Sequence, residues 1–179
     1  MTLVILDRDG VINQDSERHI RSPHEWIPIA GSLEAIAKLN HAGFRVVIAT
    51  NQSGLARRYF DIETLCRIHE KMQRMLRDLG GSVEAIFFCP HTPNARCQCR
   101  KPKPGLLIDI ATHLQMSLQG VAFIGDSKRD IEAGLAAGAR PILVRTGNGA
   151  DTERQLESVE VFDDLADAAD HLILETTKI

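Results

Sequence analysis

Two aspartates two residues apart, Asp7 and Asp9, follow the apolar run Leu3-Val4-Ile5-Leu6 and precede Gly10. Side chains two apart in an extended segment face the same way, so both carboxylates address one site. Other apolar runs lead into Thr50-Asn51 and into Asp126, with Asp130 four residues on, and Arg100-Lys101 closes a polar loop. Two carboxylate pairs, a hydroxyl beside an amide and a pair of cations suit phosphoryl transfer. A phosphate monoester demands a nucleophile, neutralisation of oxygens that are already anionic, and a proton for the leaving alkoxide. Asp7 can be the nucleophile, passing through an aspartyl phosphate that water cleaves, with Asp9 as acid and then base. A carboxylate attacks a dianion only with a cation between them, and Mg²⁺, a hard ion held by one or two carboxylates plus water, fits Asp7 and Asp126. Thr50 and Asn51 can donate to phosphoryl oxygens while Lys101 sets a point charge against them. Gly10 lets the backbone turn sharply behind the phosphate. Plainer roles compete, with Thr50 ending a strand, Lys101 on the surface, and Asp126 and Asp130 capping a helix. All of these would have to hold at once.

A second cluster occupies residues 89–99, CPHTPNARCQC, where Cys89, His91, Cys97 and Cys99 stand in the spacing C-x-H-x5-C-x-C. Four soft ligands are the number a closed tetrahedral Zn²⁺ site takes. A redox pair usually reads C-x-x-C, and Asp7 makes a cysteine nucleophile redundant. Arg100-Lys101 follows Cys99 directly, so a structural Zn²⁺ here would fix those cations over the phosphate.

The elements that must position these groups follow from hydrophobic period. The chain has 179 residues, 44% hydrophobic and 25% charged. That suits one domain over residues 1–179. Apolar runs near 3–6, 45–49, 83–88, 121–125 and 141–144, with a weaker one near 159–162, predict strands alternating with helices in an α/β fold with a mostly parallel sheet. Ser32 is expected to cap a helix that stops at Gly43. Asp61 opens another, stopping at Gly80, with Ile62, Leu65, Cys66, His69, Met72, Leu76 and Leu79 along one face and Cys66 as a small core residue. Pro104 sits at the first turn of a third helix, Ser127 caps a fourth ending at Gly138, and Asp163 starts the last. In such sheets ligands bind beyond the carboxyl ends of the strands where strand order reverses, which is where the chemical groups fall. The start of the chain has no basic segment and meets an acid after four apolar residues, so neither a signal peptide nor a membrane anchor is expected, and the protein is expected in the cytoplasm with reduced thiols. A net charge of −3 argues against nucleic acid as partner. A small molecule remains, with the protein as a monomer and no membrane partner.

These residues resemble the haloacid dehalogenase superfamily of aspartate-nucleophile phosphatases. DRDGV is similar to its first motif, Thr50 in ATNQSG to its second, Lys101 in CRKPKPG to its third and GDSKRD to its fourth. The resemblance runs from Leu3 to about Gly147. It implies Asp7 as nucleophile, Asp9 as acid/base and main-chain metal ligand, Asp126 on Mg²⁺ and Asp130 behind it. It also implies a three-layer Rossmannoid sheet of order 5-4-1-2-3. The gaps 8–31 and 89–103 are too short for a cap domain, so an open site is expected. The cysteine loop resembles the zinc loop of one branch, whose members remove the C7 phosphate of D-glycero-D-manno-heptose 1,7-bisphosphate, a step toward the ADP-heptose of lipopolysaccharide core, or act on histidinol phosphate. TNQSGLARRYF and CQCRKPKPG look more like the heptose group. The resemblance then places Arg100 and Asn51 against the sugar, with Lys128 near the site because Ser127 stands where a lysine is frequent. The flap around 13–28 lacks an expected Gly-Tyr. Other readings are histidinol-phosphate phosphatase, a nucleic-acid 3′-phosphatase using Arg96, Arg100, Lys101 and Lys103, a phospho-acceptor signalling module, and a zinc-bearing binding module with a dead site.

Overall fold

A computed structural model describes residues 2–177. Strands β1 (Thr2–Leu6), β2 (Phe44–Asn51), β3 (Ala85–Cys89), β4 (Ala122–Gly125), β5 (Arg140–Val144) and β6 (Glu160–Phe162) form one sheet. Its order is β3-β2-β1-β4-β5-β6 with every pair parallel. Read from the other edge, this is the expected 5-4-1-2-3 order with the weak sixth strand added beside β5. Helices α1 (Ser32–His41), α2 (Ile62–Asp78), α3 (Gly105–Leu114), α4 (Lys128–Ala136) and α5 (Gly149–Glu153) fill the five connections, and α6 (Leu165–Thr176) follows β6.

Both faces of the sheet are buried, which a parallel sheet requires and which near-continuous apolar strands supply. Along β1, Val4 and Leu6 join Val46, Ile48, Ile124 and Ile142 against α1, α2 and α6. Leu3 and Ile5 face the other way and join Val47, Ala49 and Phe123 against α3 and α4. The three layers thus follow from the two-residue period of the strands. Parallel register brings the carboxyl ends of β1, β2, β3 and β4 to one rim, with Leu6 beside both Ile48 and Ile124, and Asn51 beside Cys89.

Several boundaries move by a residue. Gly31, in the left-handed region at φ 81°, precedes α1, while the hydroxyl of the buried Ser32 donates 2.6 Å to the Ile12 carbonyl. Asp61 does cap α2, accepting from the Thr64 N–H at 2.8 Å. Pro104 stands at the N-cap of α3, and Asp164 rather than Asp163 caps α6. Ser127 closes a capping box with Asp130 on α4. The short α5, opened by Gly149, gave no helical period to read.

The inner face of α2 differs from expectation. Leu65, Ile68, Met72 and Leu76 are buried. Cys66 is exposed, as are Ile62 and Leu79. One residue on a helix is about a 100° turn, so Cys66 cannot share the inner stripe that Leu65 and Ile68 define. The flap is anchored here too, since Lys71 Nζ on α2 donates to the carbonyls of Pro23 at 2.8 Å and Trp26 at 2.7 Å, with the Trp26 side chain fully buried. No helix among the described residues is long and apolar enough to cross a membrane.

The α2 stripe is checked by urea denaturation: Ile68→Ala should cost about 2–5 kcal/mol as a core truncation, whereas Cys66→Ser should stay within about 0.5 kcal/mol as a surface change.

Candidate functional site

One cavity at the rim is lined by Asp7, Asp9, Thr50, Asn51, Arg100, Lys101, Asp126 and Asp130 from the sequence-derived set. Asp15, His19, Gln52, Arg129 and Asn148 line it as well. Lys128 does not. It is exposed and its Nζ lies 3.7 Å from Glu132 one turn along α4. The next residue, Arg129, takes the place expected for it.

At the floor, Lys101 is 2% exposed and its ammonium meets three oxygens, Asp7 Oδ1 at 2.9 Å, Asp130 Oδ1 at 2.7 Å and the Ala49 carbonyl at 2.8 Å. The Ala49 contact is a hydrogen bond, while the two carboxylates face the same ammonium as ion pairs. Burial disfavours the charged lysine, but Asp130 and Asp7 outweigh it and hold its pKa above the usual value. For Asp7, burial and the charge of Asp130 push the carboxyl well up, against the pull of Lys101 and with a further push from Asp126. Burial and Asp130 raise Asp126 to about 6, opposed by hydrogen bonds from Asn148. Asn148 donates to Asp126 Oδ2 from its backbone N–H at 2.8 Å and its side-chain amide at 3.1 Å. Gly10 at φ 83° and Gly147 at φ 57° flank that carboxylate, and a Cβ on either would collide with Asp126 Oδ2. Gly10 thus serves a close approach as well as a turn.

Asp9 belongs to a different network. Arg8, fully buried, donates Nη2 to Asp9 Oδ1 at 2.8 Å and to Oδ2 at 3.1 Å, and Asn13 and Gln52 donate at 2.9 Å each. Burial pushes the Asp9 carboxyl up, but the Arg8 charge and these hydrogen bonds prevail and lower it. Arg8 Nη1 also lies 3.1 Å from His69 Nε2. Arginine cannot accept, so this histidine nitrogen must be the acceptor, which agrees with burial and the Arg8 charge pushing His69 down to about 3. Gln52 bridges the two networks, donating also to Thr50 Oγ1 at 2.9 Å. The Thr50 hydroxyl therefore keeps its own proton free to donate. Asn51 is already engaged, giving its amide to the Lys101 carbonyl and accepting the Lys101 N–H, both at 3.1 Å. It holds the cation's backbone as well as lining the cavity.

Three groups of side chains among the described residues come close enough to hold a metal; one, Glu160, His171 and Glu175, lies away from the cavity with both glutamates paired to Arg140, and the other two are at the rim. Asp7, Asp126 and Asp130 bring carboxylate oxygens within 4.8 Å of one another. Three carboxylates against one ammonium leave a negative excess that a divalent cation fits. Both oxygens of Asp130 are engaged, by Lys101 and by the Ser127 N–H and hydroxyl, so Asp7 and Asp126 are the freer donors. At the end of β3, Cys89 Sγ stands 3.7 Å from Cys97 Sγ and 3.1 Å from Cys99 Sγ, and His91 Nδ1 stands 3.5 Å from Cys89 and 3.3 Å from Cys99. A tetrahedral Zn²⁺ with bonds of about 2.3 Å to sulfur and about 2.0 Å to nitrogen separates its ligands by roughly 3.5–3.7 Å. The donors fit such an ion, with the Cys89–Cys99 edge the short one. Without a cation, burial and the neighbouring thiols push Cys89 up to about 12.

Reading the sequence for strand ends missed Asn148, Gln52 and Arg8. Asn148 follows the fifth strand in TGNG and was open to the same argument applied to one more strand. Arg8, between two acids, carries no signal of burial.

Comparison with known proteins places the chain among phosphatases. A family model described as HAD-hydrolase-like matches residues 98–168. The chain is 53% identical over 178 residues to D-glycero-β-D-manno-heptose-1,7-bisphosphate 7-phosphatase of Pseudomonas putida, covering 97% of this chain and 100% of the relative. It is equally identical to the enzyme of that name from Bordetella bronchiseptica, covering 98% and 99%. A crystal structure of D,D-heptose 1,7-bisphosphate phosphatase from B. bronchiseptica, complexed with magnesium and phosphate, superposes with a TM-score of 0.96 at 53% identity over 98% of this chain and 99% of that one. The corresponding structure from Burkholderia thailandensis gives 0.77 at 42% identity over 97% and 99%.

The Lys101 arrangement predicts a coupled energetic effect. Lys101→Met should cost about 3–5 kcal/mol in urea denaturation by leaving buried carboxylates uncompensated. Combined with Asp130→Asn the loss should be smaller than the sum of the two single losses.

Proposed function

The chain belongs to the HAD-like hydrolase family, and from that premise we propose that it removes the C7 phosphate of D-glycero-D-manno-heptose 1,7-bisphosphate, leaving heptose 1-phosphate. The product serves the route toward the ADP-heptose of lipopolysaccharide core. Asp7 attacks phosphorus and carries the phosphoryl group. Lys101, 2.9 Å from Asp7 Oδ1, and the free hydroxyl proton of Thr50 hold the phosphoryl oxygens. Asp9 gives a proton to the departing C7 oxygen and then takes one from the water that cleaves the aspartyl phosphate. Mg²⁺, held by Asp7, Asp126 and the Asp9 main chain, would supply the charge that lets a carboxylate approach a phosphate. Asp130 fixes Lys101, and Asn51 fixes the Lys101 backbone. Zn²⁺ on Cys89, His91, Cys97 and Cys99 would brace the loop that ends in Arg100 and Lys101.

The observation that carries this reading is the arrival of Asp7, Thr50, Lys101 and Asp126 at one cavity from four separate segments of chain. The relatives' names support the sugar. A signalling module would not need a second acid two residues after its phospho-acceptor.

Three measurements test it. With Mg²⁺, Asp7→Asn should lower kcat on heptose 1,7-bisphosphate by at least about a thousandfold while the denaturation midpoint hardly changes. Histidinol phosphate and fructose 1,6-bisphosphate should turn over far more slowly than the heptose substrate, and comparable rates on all three would defeat the substrate assignment. Metal analysis should find one zinc per chain. Cys97→Ser should lose it and lower kcat/KM along with it.

A further inference from the structure

The mouth of the cavity carries two guanidiniums that the reaction itself does not use, on Arg100 and Arg129. Among the described residues neither has a carboxylate within ion-pair distance. The side chain of Arg100 donates only to the His91 carbonyl, at 3.2 Å. Arg129, in the first turn of α4, has no side-chain hydrogen bond among the described residues. Both also line an adjoining groove with Arg96 and Lys103, so the rim is cationic from the zinc-loop side to α4. Cations that face each other without acids form a receptor for an anion. Apart from Asp7, Asp9, Asp126 and Asp130, the cavity lining offers one carboxylate, Asp15, which accepts from the Ser16 N–H and the Asn148 amide.

A sugar bisphosphate presents two dianions, and the centre at Asp7 accounts for one. We propose that Arg129, together with Arg100, anchors the phosphate that stays on the sugar, and so makes this phosphatase select substrates with a second phosphate. The inference rests on the bisphosphatase reading and deepens it. Lys128, one residue earlier on α4, is turned toward Glu132 and takes no part. A substrate such as histidinol phosphate, which carries an ammonium in place of a second phosphate, meets two charges of its own sign at the mouth. Selection against it is then electrostatic as well as steric.

The test compares kcat/KM for heptose 1,7-bisphosphate with that for heptose 7-phosphate, in wild type and in Arg129→Gln, Arg129→Lys and Arg100→Gln. Loss of one charge-assisted contact should lower the ratio about 10- to 100-fold in Arg129→Gln, chiefly through KM for the bisphosphate, since such contacts carry that much binding energy. Arg129→Lys should recover part of the ratio, as a point charge without the forked geometry. Raised salt should lower the wild-type ratio and leave that of Arg129→Gln less affected. A ratio unchanged by Arg129→Gln, with wild type preferring the bisphosphate, overturns the anchor while the bisphosphatase reading stands. A wild-type enzyme that does not distinguish the two substrates also overturns the anchor, whereas equal turnover of histidinol phosphate defeats the bisphosphatase reading beneath it.

Discussion

The site depends on one buried ammonium. Lys101 has almost no contact with solvent, and an isolated charge there would be too costly to keep. Its charge is met by three oxygens, from Asp7 just beyond β1, Ala49 on β2 and Asp130 on α4. The same three contacts that make the ion tolerable draw the ends of three elements together. Asp7 and Asp130 are in turn buried carboxylates that would be costly without the lysine. Neither sign can be removed alone, which is why an open surface site keeps a fixed geometry.

Around that centre the fold sorts its acids by partner. Parallel register delivers Asp7, Thr50 and Asp126 to one rim, and small residues decide how close they come. Asp126 lies between Gly10 and Gly147, where no Cβ fits. Asp9, only two residues from Asp7, is claimed instead by Arg8, Asn13 and Gln52. Two carboxylates that share a strand end thus sit in opposite electrostatic surroundings, one raised among like charges and one lowered by a guanidinium. That order is the reverse of what a nucleophilic Asp7 and a proton-donating Asp9 require, and a divalent cation on Asp7 and Asp126 would turn it round by favouring the ionised carboxylate.

Much of the architecture was legible because it rests on period and punctuation. Alternating strand faces and the caps at Asp61 and Ser127 followed from local pattern, while the order of the strands followed from the resemblance of the motifs to the haloacid dehalogenase superfamily. The ion pairs at the site were less accessible. Burial of Arg8 depends on His69, sixty-one residues away, and no local signal joins them. The stripe of α2 was misjudged at Cys66 because a cysteine is hydrophobic enough to suit either side, and only the partner surface decides. Lys128 and Arg129 are chemically alike as cations, and the one-residue rotation that sends the first to Glu132 and the second to the cavity mouth is set by the helix start at Ser127.

The cysteine loop completes the mechanical argument. It leaves the sheet at Cys89, the last residue of β3, and returns beside Arg100, with a single 3₁₀ turn between Pro93 and Ala95 as its regular structure. Eleven residues with so few internal hydrogen bonds would order themselves poorly, since each fixed residue costs about 1–2 kcal/mol of backbone entropy. A metal held by Cys89, His91, Cys97 and Cys99 would cross-link both ends and remove most of that freedom before any substrate arrives. The Gln52 N–H bonds the Cys89 carbonyl at 2.7 Å, and Asn51 grips the Lys101 peptide from the same strand end, so the loop is fastened to β2 at both of its feet. Arg100 and Lys101 would then stand on a braced frame, with their charges placed in advance. A loop left free would have to be ordered by the substrate at the expense of affinity.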